Sequence, residues 1–194
     1  MIKEFFKYAL PSALAMFVSS LYTIIDGIFV GQGVGDSALA AVNIVMPFTI
    51  MLFGIATMFA VGGGDLVSKS IGANNKEKAV KIFRQVFKFL LILSIVISLF
   101  AVIFSKYIVK ILGATDTLVP LASTYLRYYS LFCIPNLVGI ALNSFVRNDG
   151  RPKLAMVSTL SGAITNIILD YVFIFPLGFG IKGAAIATGL GQIV

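Results

Sequence analysis

Two carboxylates in this chain have the setting for ion chemistry, because Asp26 and Asp170 each sit inside an apolar run long enough to cross a bilayer. The run from Ala155 to Phe175 reads AMVSTLSGAITNIILDYVFIF, and a helix of about 20 mainly apolar residues spans the hydrocarbon core. On that helix Ser158, Gly162, Asn166 and Asp170 recur every fourth position and share one small, polar face. An ionised Asp near mid-membrane costs roughly 2.5–3.5 kcal/mol on insertion scales, so it is normally turned inward, paired or hydrated, and used. The first apolar run carries a second stripe, Ser19, Thr23 and Asp26. Both acids fall toward the C-terminal ends of their runs, which puts two carboxylates at similar depth. Hard cations take oxygen ligands, and a carboxylate helped by Asn and Thr oxygens, such as Asn166, suits Na⁺ or a proton. For Asp26 the competing expectation is an interfacial carboxylate in water.

Composition says what must position these residues. Apolar residues make up 59% of the 194 and charged residues 12%, with a mean hydropathy of +1.01, against about 45–50% apolar in a soluble domain. The chain is expected to be an integral membrane protein. Its apolar runs are too long for barrel strands, so the spans are helices. A net charge of +7 and a pI near 9.6 do not point to nucleic acid, because the basic residues lie between spans and not on a soluble face. One cysteine, Cys133, allows no disulfide framework. Histidine is absent, which removes imidazole metal sites and His proton relays. Lys3, Lys7 and the Ala38-Leu39-Ala40 triplet imitate a signal peptide. The run between them is longer than an h-region of about 7–15 residues, so it is expected to be an uncleaved first span.

The hydropathy pattern predicts an all-α polytopic membrane protein with six spans, at about 9–30, 39–61, 86–104, 118–146, 154–175 and 183–194, the last cut off, and no soluble domain. With the N-terminus inside, one side of the membrane holds Lys3, Lys7, Lys69, Lys76, Lys78, Lys81, Arg84, Lys88, Arg147, Arg151 and Lys153, and the other only Lys106, Lys110 and Lys182. The positive-inside rule therefore places the N-terminus in the cytoplasm, and the expected location is the cytoplasmic membrane.

Secondary features sort into packing and decoys. Pro47 in the second span predicts a kink. The third span, with only Ser94 and Ser98 polar, is expected to face lipid, and residues 74–89 read as an amphipathic cytoplasmic segment leading into it. In the fourth, the Tyr125, Tyr128 and Tyr129 cluster reads as an aromatic belt and Arg127 as a snorkelling side chain. Asn136 and Asn143, seven apart, share a face that lines a cavity or bonds another helix. Gly62 to Asp65 with Lys69 and Ser70 lacks phosphate-loop spacing, and Asp65 is expected at a solvated helix end. Gly178 to Gly183 matches G-x-G-x-x-G, but a membrane span precedes it and no acid follows. It is expected to be a tight turn, and no nucleotide site or enzyme chemistry is expected.

SLYTIIDGIFVGQGVGDSALAAV from Ser20 and TNIILDYVFIFPLGFGIKGAAIAT from Thr165, together with SKSIGANNKEKA and FVRNDGRPK, resemble the multidrug and toxic compound extrusion (MATE) family, nearest its bacterial drug-efflux branch. The resemblance covers essentially the whole chain. It implies a six-helix bundle forming one lobe of a two-lobe, twelve-helix antiporter that exports cationic or amphipathic compounds against H⁺ or Na⁺ by alternating access, with no other cofactor. It further implies a cation site at Asp26, Asp170, Asn166 and Thr188, and a substrate cavity reached by Asn136, Asn143 and Thr23. GGGD at Gly62 to Asp65 departs from the family, which more often has small or hydroxyl residues there. Since only the N-terminal lobe is matched, a missing C-terminal lobe, or a second copy, is the expected partner. The rivals are a lipid-linked precursor flippase of the same superfamily, which would line its cavity with cations, and a non-transporting membrane subunit.

Overall fold

The computed structural model describes residues 2–194, with side chains from residue 9 onward. Every regular element among them is helical: α1 (Ile2–Gly33), α2 (Asp36–Gly72), α3 (Lys76–Ile111), α4 (Val119–Ser130), α5 (Cys133–Asn148), α6 (Pro152–Ile174) and α7 (Ile181–Gly191). Four are long and apolar enough to cross a membrane, and α4 with α5 makes a fifth, bent crossing. Helices α2 and α3 have 37 and 36 residues, or about 55 Å at 1.5 Å per residue, well beyond a core of about 30 Å. The segment from Lys76 thus forms the first turns of α3 and leads directly into the third span, since nothing between Lys76 and Val86 breaks a helix. The α2–α3 turn is made by two asparagines. Asn74 takes a left-handed φ of 57°, and the Asn75 side chain accepts from Lys78 N at 3.0 Å to cap α3. Helix α2 runs unbroken through Pro47, while the one non-helical residue inside α3 is Phe104.

The sequence pattern predicts one span over 118–146. The structure bends it by 54° between α4 and α5, at Leu131 and Phe132. Pro135 is the cause: it has no N–H for the Leu131 carbonyl, and its ring crowds that group. The break leaves the Ser130 carbonyl without an intrahelical partner, and Ser98 of α3 donates to it at 2.7 Å. Ser98→Ala should lower stability by about 0.6–1.7 kcal/mol, the range for interhelical hydrogen bonds in membranes. Chemical or thermal unfolding in detergent measures it, and an unchanged midpoint would mean that the bond adds nothing.

Helix α6 packs against α1 and α7, α2 against α3 and α5, and α3 against α4, with α4 also touching α7. The buried seams are rich in alanine and glycine, as expected where membrane helices approach closely. A Cβ on Gly64 would run into the Asn148 amide and one on Gly63 into Val86, so GGGD serves close packing. Asp65 beyond it is exposed and pairs with Lys69 at 2.7 Å, within α2 and not at its end. Gly178 and Gly180 both have positive φ, 61° and 57°, and form the tight turn into α7. Large apolar side chains such as Phe17, Ile24, Ile92, Leu99 and Ile103 point outward, which suits lipid or protein and not water.

Candidate functional site

The polar stripes of α1 and α6 meet. Ser19, Thr23 and Asp26 from α1 and Ser158, Gly162 and Asn166 from α6 line one cavity of about 1030 Å³. At its far end from the basic loops, the carboxyls of Asp26 and Asp170 lie next to each other, with the Asn166 amide beside Asp170. Asp170 is fully buried and Asn166 nearly so. Both carboxyl oxygens of Asp170, both polar atoms of the Asn166 amide and Oδ1 of Asp26 lack a partner in full hydrogen-bond geometry, and the three side chains have only one another close by. Among the described residues seven buried side-chain polar atoms are unpartnered, and five belong to these three residues. Buried polar groups are almost always paired, so such a concentration marks a place built to receive something. The oxygen atoms suit a hard cation, and a carboxylate pair suits a proton equally well.

Neighbouring groups fit that reading. Thr188 Oγ1 donates to Ala184 O at 2.9 Å and Thr23 Oγ1 to Ser19 O at 2.9 Å, so each hydroxyl has spent its proton and keeps lone pairs to offer. Tyr125 stands beside Thr188. On the side of the carboxylates away from the basic loops, Phe29 of α1 packs on Tyr171 of α6 and on Phe175 just after it, with ring centroids 6.2 and 5.7 Å apart. Gly33 lets this seam close, since a Cβ there would strike Ile174.

Several residues take places the sequence did not predict. Tyr125 and Tyr129 are not a headgroup belt: they are buried in the bundle, stacked at 6.0 Å, and line the cavity. Only Tyr128 stays peripheral, its ring 5.9 Å from Lys182 Nζ. The spacing carried part of the signal, since Tyr125 and Tyr129 are four apart and share a helix face. Arg127 is exposed and reaches Ser105 Oγ at 3.4 Å. Asn136 and Asn143 both line the cavity and bond neighbours. Asn136 donates to Tyr129 Oη at 3.1 Å across the α4–α5 break, and Asn143 donates to Ala155 O at 2.9 Å and to Thr159 Oγ1 at 3.2 Å on α6.

The MatE family model matches residues 11–172. The chain belongs to the MatE family. Among its curated relatives are the multidrug export protein MepA of Staphylococcus saprophyticus, 28% identical over 193 residues that are 99% of this chain and 43% of that protein, and MepA of Staphylococcus aureus, 28% identical over 191 residues. Solved MatE neighbours agree. A MATE protein in complex with MaD3S superposes at a TM-score of 0.91 with 31% identity, over 98% of this chain and 43% of that one. A MOP superfamily transporter from Pyrococcus furiosus, whose binding pocket is described as having reverse polarity that suggests a different function, superposes at 0.90 with 30% identity, over 98% of this chain and 42% of that one. The MatE chain thus spans less than half the length of these relatives, and its all-helical bundle corresponds to one lobe of them.

Proposed function

We propose that this chain is the cation-coupling lobe of a multi-pass secondary transporter that exports cationic and amphipathic compounds, with Asp170 and Asp26 as the groups that take up H⁺ or Na⁺. The observation that carries this is the cluster of five unpartnered buried atoms on Asp26, Asn166 and Asp170, beside a drug-sized cavity that Asp26 and Asn166 line. The multidrug export function of the relatives supports the substrate class. Cation uptake satisfies the orphaned oxygens and draws α1 and α6 together. The cavity is then repacked and drug affinity falls, and by linkage drug binding expels the cation. Thr188 and Asn166 supply further oxygens, while Thr23, Asn136 and Asn143 meet the drug. Alternating access needs a second lobe facing this one across a midplane site, so the working transporter includes a C-terminal lobe. With the basic loops inside, the N-terminus is cytoplasmic, the membrane is the plasma membrane, and the cation enters from outside.

A lipid-linked precursor flippase would need a cationic interior to hold pyrophosphate, whereas the deep end of this cavity is acidic. A non-transporting subunit would need no orphaned carboxylates, because helix glue is made of satisfied hydrogen bonds. Proteoliposomes of the full-length protein loaded with a cationic dye decide between these readings. Dye movement driven by an imposed H⁺ or Na⁺ gradient is expected, and movement indifferent to both gradients would contradict the proposal.

A further inference from the structure

The first turns of α3 have two distinct faces. Ala79, Phe83, Val86 and Leu90 form a stripe that packs inward: Ala79 and Leu90 are buried, Phe83 sits edge-on to Phe145 of α5 at 5.1 Å, and Val86 occupies the space that Gly63 of α2 leaves free. Glu77, Lys81, Arg84 and Lys88 repeat the same spacing two residues earlier, about 200° around the helix, and are all exposed. They line an open hollow of about 560 Å³, with Lys76 beside them. Four cations meet one acid there, and among the described residues none of the four is in an ion pair.

The position of this row says what it meets. No residue of α3 lines the large cavity that the other helices share, so the basic face looks away from it. Lys88 lies two residues into the apolar run that begins at Val86, and Lys81 is about 10 Å farther out along the axis. The row therefore starts at the edge of the hydrocarbon core and crosses the headgroup layer outside it.

We propose that this face of α3 is a binding site for the headgroup of an anionic phospholipid. Arg84 and Lys88 meet the phosphate, the guanidinium as a donor fork and the ammonium as a point charge. Lys81 and Lys76, farther out, add the attraction that basic residues next to a span have for anionic lipid. Because the inner stripe is locked against α2 and α5, the cations are presented in a fixed row, and little ordering is needed on binding. The inference requires only that the chain spans a membrane, and it is independent of what the large cavity carries.

The test is native mass spectrometry of the full-length protein in detergent, titrated with phosphatidylglycerol, with phosphatidylcholine as the zwitterionic control and glycerol phosphate as the soluble anion. The wild type should take its first phosphatidylglycerol at least about tenfold more tightly than phosphatidylcholine. Replacing Lys81, Arg84 and Lys88 together by Gln should remove that preference and leave phosphatidylcholine within about twofold. Replacing Lys81 and Lys88 by Arg should keep it, which separates lost charge from lost fold. A third variant removes the same charge at the opposite end of the bundle, with Gln at Lys106, Lys110 and Lys182, and should behave as the wild type. An equal loss in that variant would show a general charge effect and overturn the proposal. No preference for phosphatidylglycerol in the wild type would overturn it too, as would glycerol phosphate binding as tightly as the lipid, which would make the row a site for soluble anions.

Discussion

Asp170→Asn in the full-length protein is expected to cut ion-driven efflux at least about tenfold while leaving expression and membrane insertion at wild-type levels. The substitution keeps the shape of the side chain and removes its charge and its exchangeable proton. Asp170 is wholly buried with neither oxygen bonded, so the loss falls on cation binding and not on a structural contact. A packing role would predict lowered stability and unchanged coupling, whereas an amide in place of an unpartnered buried carboxylate lowers the desolvation cost and should raise stability. The two roles separate when efflux and thermal unfolding are measured on the same preparation. Full drug resistance in cells carrying only the mutant would remove Asp170 from the mechanism.

The second large effect is expected at Gly162. This residue lies on the α6 stripe that lines the cavity, and a Cβ there would come within 2.6 Å of the Gly191 carbonyl oxygen of α7. That obstacle is backbone, which cannot rotate aside as a side chain can. A Cβ on Gly191 would likewise come within 3.0 Å of Gly162 O and of the Asn166 Cβ, so the two glycines form a reciprocal contact beside Asn166. Gly162→Val should force the helices apart and cost about 1–3 kcal/mol or more, as overpacking does, and the displacement of Asn166 and Thr188 should impair coupling as well. Loss of folded protein on size exclusion, or a lowered unfolding temperature, is the expected result. Wild-type stability and wild-type efflux together would mean that α6 and α7 are not this close in the working protein.

Most of the candidate site was legible because the membrane imposes it. A carboxylate inside an apolar run is expensive enough that Asp26 and Asp170 stood out, and a period of four placed Ser158, Gly162 and Asn166 beside Asp170. Facing each other across α1 and α6 is a tertiary fact that each stripe, taken alone, could not give. Three features escaped hydropathy. The α4–α5 break depends on the Pro135 ring and on Ser98 answering the freed Ser130 carbonyl, and Ser98 is 32 positions away. The length of α3 escaped because charged residues end an apolar run without ending a helix. Tyr125 and Tyr129 were read by residue type, as belt aromatics, when their spacing set them on the inner face. Arg147, which lines the cavity, was counted among loop charges, although Asn136, Asn143 and Arg147 at intervals of seven and four share one face.

In the proposed mechanism one cation and one drug compete through this lobe. Drug-evoked ion release tests it most directly, with full-length protein at equilibrium in a weakly buffered solution and a pH indicator or Na⁺ electrode recording the response to added drug. The wild type should release H⁺ or Na⁺ in proportion to drug bound, and Asp26→Asn with Asp170→Asn should bind drug and release neither. Drug binding by the wild type with no ion released, or equal release from the double mutant, would contradict it.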